Sequence, residues 1–477
     1  MIAILLSALL FLGISPSATS APIWSIDKPI DLHGSSIQLE ENCVLRFSGK
    51  GMLMNGRLVG HSNLIESDTS RPLFQKIVLE GEWRGGVSDA YFYRRPSNSD
   101  DWQIISNIMK FNEISFTRDS YFLTKWEPIL VNDGNVIING NGVRLFLPAD
   151  KGKTRNTIWG KHCINECILY SQTSEHRIEI NNLTFSDKSE SNDGFGSDVS
   201  AQKPLIYYYL GLAHATVILN QVHSDGQGCL FKRYNYSQDI DRVEMSRCSV
   251  RTCQFAAEIL NITRDNQSGH LGSFKMDSCL VYRYPNALFC GPISIVGREH
   301  GSDSISISNS TFIESNAGNI ELSGVDHALF CNNQCTNLSF YDGELPPYTY
   351  ECKKNTFILR QIDNPMKNRA LSMGGRWITL SGNTYIIKSK PFPFIELLQP
   401  WLVECLTMTD NTIRYEPDKN TKGFSCLFSI KDLKGEFLFT GNHFYSAYDQ
   451  PEIDCLFPRR RKTFNDPSKG KIRISWR

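Results

Sequence analysis

The stretch Ser304-Ile-Ser-Ile-Ser-Asn-Ser-Thr-Phe312 reads as one rung of a ladder. Ile305 and Ile307 alternate with serines as in a half-buried strand, Asn309, Ser310 and Thr311 supply a turn, and Phe312 points back inside. The same phrase occurs upstream as IEINNLTF (178–185), VILNQVHS (217–224), VEMSRCSV (243–250) and FKMDSCLV (274–281). Downstream it is ALFCNNQC (328–335), YECKKNTF (350–357), ITLSGNTY (378–385), LTMTDNTI (406–413) and FLFTGNHF (437–444).

The third column of this alignment holds Ile180, Leu219, Met245, Met276, Ile307, Phe330, Cys352, Leu380, Met408 and Phe439, none of them charged, so it is expected to face a core. The sixth column ends in Asn333, Asn355, Asn383, Asn411 and Asn442. Asparagine tolerates a left-handed turn, and its amide can bond to an identical amide one layer away. From Leu183 to Asn442 the nine intervals average about 29 residues, in the range of repeats that bury a core only by stacking. Leucine-rich repeats need a regular leucine spacing and a helical half, and propeller blades need four strands; neither fits. A short strand, a turn, a second short strand and a variable loop describe one coil of an all-β, single-stranded right-handed parallel β-helix. At roughly 4.8 Å per layer, ten coils make a rod about 50 Å long.

Residues 2–14 form an apolar run followed by Ser-Pro-Ser-Ala-Thr-Ser-Ala, too short for a bilayer span and of a length that predicts a secretory signal cleaved after Ser20. The competing reading is a buried N-terminal strand. Export would place the protein in the secreted, periplasmic or cell-surface space, and no later apolar run is long enough to span a membrane. The formal net charge of zero argues against a nucleic-acid partner. A solenoid grows without one central core, so 477 residues do not force a split. Of the 14 cysteines, Cys248 and Cys279 share one core column, while Cys335 and Cys352 occupy others. Cys163 with Cys167 and Cys331 with Cys335 leave disulfides, metal ligation and simple packing open. The expected organisation is a signal at 1–20, a capping β segment at 21–98, the β-helix at 99–457 and a basic tail at 458–477, with Arg459, Arg460, Arg461 and Lys462 as a solvated end.

Between Asp31 and Trp83 short strands are punctuated by Gly and Asn, as capping coils require. Asp100 to Phe111 predicts a helix with Trp102, Ile105, Ile108, Met109 and Phe111 on one face and Ser99 or Asp100 at its start, plugging or flanking an end of the solenoid. The run LHGSSIQLEENCVLRFSGKGMLMNGRLVGHSNLIESD, then GEWRGGVSDAYF, resembles the N-terminal section of secreted bacterial pectate-lyase-like β-helix proteins, and the resemblance covers roughly residues 27–450. It implies a polysaccharide partner and a substrate groove on the strands that follow each variable loop, here 228–233, 255–260, 287–290, 319–322, 338–341, 394–397 and 426–431.

On those strands Cys229, Phe231, Ala257, Ile259, Ile320, Leu322, Ile395 and Leu397 are expected to point inward, which sends Lys232, Glu258, Glu321 and Glu396 outward as a mixed-charge face. Uronate β-elimination needs a base, Lys or Arg in the lyases this chain resembles, and a cation, often Ca²⁺, to neutralise the substrate carboxylate. Lys232, Arg233, Arg298 and His300 are the candidate bases or clamps, with Asp225, Glu258 and Glu321 as acidic partners. Each is also readable as an ordinary solvated charge, and the 298–303 cluster as a polar turn. Hydrolysis would need two carboxylates flanking the bond. The Asn-Thr-Asp, paired-Asp, Gly-His-Gly and Arg-x-Lys motifs of polygalacturonase-like hydrolases are not intact here, nor are the motifs of pectate lyases recognisable. The resemblance and the charged strand face together lead to the expectation of an exported protein that binds an extracellular polysaccharide; whether it cleaves is left open, with lyase-like β-elimination on a uronate-containing glycan favoured over hydrolysis. The alternative is a non-catalytic adhesive solenoid.

Overall fold

The computed structural model describes residues 21–94, 100–124, 127–147, 169–171, 176–187, 204–208, 214–225, 229–234, 239–252, 255–261, 269–283, 291–341, 345–360, 371–388, 395–397, 402–416, 428–429, 435–446 and 472–474. Two compact units are present: Met1–Gly85 with Tyr91–Tyr93, and Gly86–Ala90 with Arg94–Arg477. In the first, strands Ile23–Ile26, Val44–Phe47, Met52–Ser67 and Phe74–Trp83 stack in parallel, with Leu45, Leu53, Leu58 and Leu79 buried between layers.

The second unit is a right-handed parallel β-helix. Thirty of its strands join in one sheet, and every pairing recorded between them is parallel; a three-stranded sheet of Leu371–Met373, Ile395–Leu397 and Phe428–Ser429 accompanies it. The third column is a continuous register, Ile180 to Leu219 to Met245 to Met276 to Ile307 to Phe330 to Cys352 to Leu380 to Met408 to Phe439. None of these ten side chains is more than 2% exposed. At one end the register continues to Ile138, and at the other strand Ile472–Ile474 pairs with Phe437–Phe439. Strictly repeated apolar side chains one layer apart thus form the core without a central globule.

The helix is shorter than expected, Trp102–Ile108, and packs on the first coil of this unit through Ile105, Ile108, Met109 and Phe111, all fully buried. Asp100 accepts a hydrogen bond from the Trp102 amide at 3.2 Å, while Ser99 lies outside the described residues. Two buried carboxylates, neither anticipated from the sequence, tie this coil together. Asp101 takes both ends of the Arg94 guanidinium (3.0 and 2.6 Å) and the Phe122 amide (2.8 Å). Asp89 accepts from the Thr117 amide and hydroxyl and from the Tyr121 hydroxyl at 2.8, 2.5 and 2.7 Å.

The corner between the first two strands corrects the expected turn by one residue. The left-handed conformation belongs to the fifth position, at Asn182, Gln221, Arg247, Ser278, Asn309, Asn332, Lys354, Gly382, Asp410 and Gly441, every one with φ between 50° and 65°. The sixth-position asparagines are not left-handed; they form the ladder. The Asn383 side chain donates to the Cys352 carbonyl (2.8 Å) and to the Asn411 Oδ1 (3.0 Å), and its own Oδ1 accepts from the Asn355 amide (2.9 Å). The same pattern runs from Asn333 to Asn442, so buried corner amides and carbonyls are satisfied by one repeated side chain. A left-handed residue with a Cβ costs more than glycine there, so Lys354→Gly is expected to raise stability by about 0.5–1 kcal/mol. A denaturant midpoint shifted upward at unchanged slope checks this, and a downward shift would count against corner strain at Lys354.

The described cysteines are free thiols. Cys248, Cys279, Cys335 and Cys352 are buried as expected, whereas Cys331 sits half-buried on the other face of its strand from Cys335's core column. Cys163 and Cys167, the apolar run at 2–14, loop 188–203 and the basic residues 459–462 lie outside the described residues. No helix among the described residues is long and apolar enough to cross a membrane.

Candidate functional site

The strands after the variable loops run as Cys229–Tyr234, Ala257–Leu260, Ile293–Val296 and the second half of Thr311–Ser323. The third of these replaces the expected 287–290, which falls outside the described residues. Parallel register aligns Lys232 with Glu258, Glu258 with Ser294, and Ser294 with Glu321, one residue per coil. Their neighbours in the strand, Phe231, Ala257, Ile293 and Ile320, are buried on the inward face. Alternation therefore placed Lys232, Glu258 and Glu321 on the correct face. It did not reveal Ser294, whose signal lay in the alternating Ile293-Ser-Ile-Val.

Exposure is where the expectation fails. Lys232 and Glu258 are not solvated: their side chains are 1% and 3% exposed, and the ammonium meets the carboxylate at 2.5 Å. Ser294 is also buried, and Glu321 is half-buried. The Ser294 hydroxyl donates to the Glu321 carboxylate at 2.7 Å. Burial pushes the Glu321 carboxyl above the usual carboxylate range, the Ser294 hydrogen bond opposes the shift, and the charge of Glu258 adds to it. Arg233, also a candidate, is on the inward face, in register with Ile259, which aligns with Ile295 and then Leu322. It is a core side chain and not a clamp on the outer surface.

Arg298 and His300 belong elsewhere. They lie in the turn after strand Ile293–Val296, closed by the Gly301 amide on the Arg298 carbonyl at 2.8 Å. Gly324 passes that same carbonyl so closely that a Cβ would sit 1.8 Å from it, which only glycine allows. His300 is exposed and its Nδ1 lies 2.6 Å from Asp326. Five of the seven candidates thus divide into a column of buried Lys232 and Glu258 with half-buried Glu321, and a corner pair, Arg298 and His300. Asp225 is exposed and 3.8 Å from Arg251. Glu396 pairs through its backbone with Ser372 on one side and Ser429 on the other.

Among the described residues no three His, Cys, Asp or Glu side chains gather in a way that could hold a metal ion. Glu258 and Glu321 stand two layers apart, about 9–10 Å between backbones. The arrangement presents one ion-paired carboxylate, one hydroxyl and one carboxyl that keeps its proton to higher pH than usual.

That last property has a measurable sign. A carboxyl whose folded pKa is raised contributes stability fully present below its unfolded pKa of about 4.3 and lost as pH rises through the folded value. Glu321→Gln is expected to stabilise the protein relative to wild type at pH 7 but not at pH 4. Chemical denaturation at the two pH values reads this, and an equal effect at both would refute the shift. Comparisons with protein-family models, curated proteins and solved structures return no match.

Proposed function

We propose that this chain is an exported β-helix protein that binds an extracellular polysaccharide at Glu321, on the strands that follow the variable loops, and cleaves it with Glu321 as proton donor. The observation that carries the reading is the half-buried Glu321 carboxyl, hydrogen-bonded to Ser294 at 2.7 Å and held above the usual carboxylate range. Breaking a glycosidic bond requires protonation of the departing oxygen, and a carboxyl that retains its proton to higher pH than an ordinary carboxylate is suited to that step. Elimination from a uronate is favoured because a carboxyl that keeps its proton to higher pH repels the substrate carboxylate less than an ordinary one; that proton goes to the departing oxygen, and the proton beside the substrate carboxylate passes to water. The resemblance of the N-terminal segment to pectate-lyase-like proteins supports the same substrate class. Lys232, tied to Glu258 and buried, is not the base in this reading.

Hydrolysis is the second reading, with Glu258, two coils from Glu321, as the second carboxylate; it would first have to be released from its buried pair with Lys232. A screen of polygalacturonate, alginate, xylan and mixed-linkage glucan separates the outcomes. Absorbance of unsaturated uronates reports elimination and new reducing ends without it report hydrolysis. Glu321→Gln is expected to lower either rate by about 10²–10⁴. Binding without product would favour the non-catalytic adhesive solenoid, and an unchanged rate in Glu321→Gln would remove the acid role.

A further inference from the structure

Away from the column, the corner that precedes the first strand of each coil carries a run of side chains the cleavage reading does not use. Thr349 aligns with Trp377 and Trp377 with Cys405, so Tyr348, Arg376 and Glu404 hold the same corner position in three successive coils. The Trp377 amide bonds to the Tyr348 carbonyl at 3.1 Å and the Glu404 amide to the Arg376 carbonyl at 2.7 Å, fixing that stack. The Arg376 guanidinium lies 4.9 Å over the Tyr348 ring, and the Tyr348 and Trp377 rings are 6.0 Å apart at 56°. The Trp377 indole N–H donates to Glu404 at 2.8 Å. Arg376 itself stands 3.6 Å from Glu299 and 4.0 Å from Glu404.

Trp377 is nonetheless 49% exposed. A large aromatic side chain left half in water, with its edge already anchored, offers contact area with little further ordering on binding. From this geometry we propose that the Tyr348–Arg376–Trp377–Glu404 corner is a docking platform for neutral sugar units of a polysaccharide. A pyranose has an apolar C–H face to lay on the indole and hydroxyls around its rim. The carboxylates of Glu299 and Glu404 accept from those hydroxyls, and the guanidinium of Arg376 donates to them. At the indole itself two carboxylates, those of Glu299 and Glu404, flank the single guanidinium of Arg376, so the platform disfavours uronates and takes uncharged units. The platform rests on the polysaccharide reading and extends it, placing a binding subsite apart from the column of Glu321.

Affinity electrophoresis of the full chain in gels containing xylan, galactomannan, hydroxyethylcellulose or polygalacturonate tests it, with melting temperature as the control for folding. Retardation by at least one neutral glycan is expected, with Trp377→Ala weakening it about tenfold or more. Trp377→Phe, which keeps a ring but loses the bond to Glu404, is expected to fall between, and Tyr445→Ala, another exposed aromatic (56%), to bind as wild type. Wild-type binding in both Trp377 variants overturns the platform and leaves the polysaccharide reading standing, as does retardation by polygalacturonate alone. Retardation by no glycan overturns both and points to a protein surface.

Discussion

Met408→Asp is expected to abolish cooperative folding of the β-helix. Met408 is fully buried in the third column, with Leu380 on one coil and Phe439 on the next. A carboxylate there has no partner, and burying an unpaired charge costs several kcal/mol, a large share of a typical stability of about 5–15 kcal/mol. Because each coil is held by its two neighbours, the substitution damages two interfaces at once. Met408→Leu, of similar volume, is expected to cost less than about 1.5 kcal/mol. Near-wild-type melting of Met408→Asp would refute the inward register of the column.

Lys232→Ala is expected to destabilise by about 3–5 kcal/mol, because removing the ammonium strands the Glu258 carboxylate in a site 3% exposed. A solvated lysine would change stability by no more than about 0.5 kcal/mol, so the two descriptions of this residue differ by a wide margin. The double change Lys232→Met with Glu258→Leu removes both charges and keeps the volume, and is expected to be near neutral. If Lys232→Ala melts as wild type does, the pair is open to water and the buried description is wrong.

The third column was legible from the sequence because burial on one face of a strand forbids charge at every second position, and that rule survives variable loops. The turn was read one residue late. Asparagine combines tolerance of the left-handed region with an amide that can bridge layers, and a sequence does not say which property a position uses. Lys354 and Arg247 show that the left-handed corner accepts residues that no turn preference would pick. Alternation likewise assigned Lys232 and Glu258 to the outer face but carries no information about what covers that face, so their burial was invisible. Ser294 was missed because the strand of its coil was placed several residues early. Asp89 and Asp101 gave no local signal, since their partners are backbone amides and side chains reached only through folding.

The asparagine ladder also bears on how such a chain can lengthen. Each of Asn355, Asn383 and Asn411 presents the same acceptor to the coil before it and the same donors to the coil after it. A duplicated coil carrying its own asparagine would find both joints already cut to fit, with no new partner chemistry required at either side. From Cys248 to Ser310 the corresponding positions hold thiols and a hydroxyl, which bond to their neighbours in less uniform ways. Growth by internal duplication is thereby tolerated in the C-terminal half of the rod and resisted nearer its start.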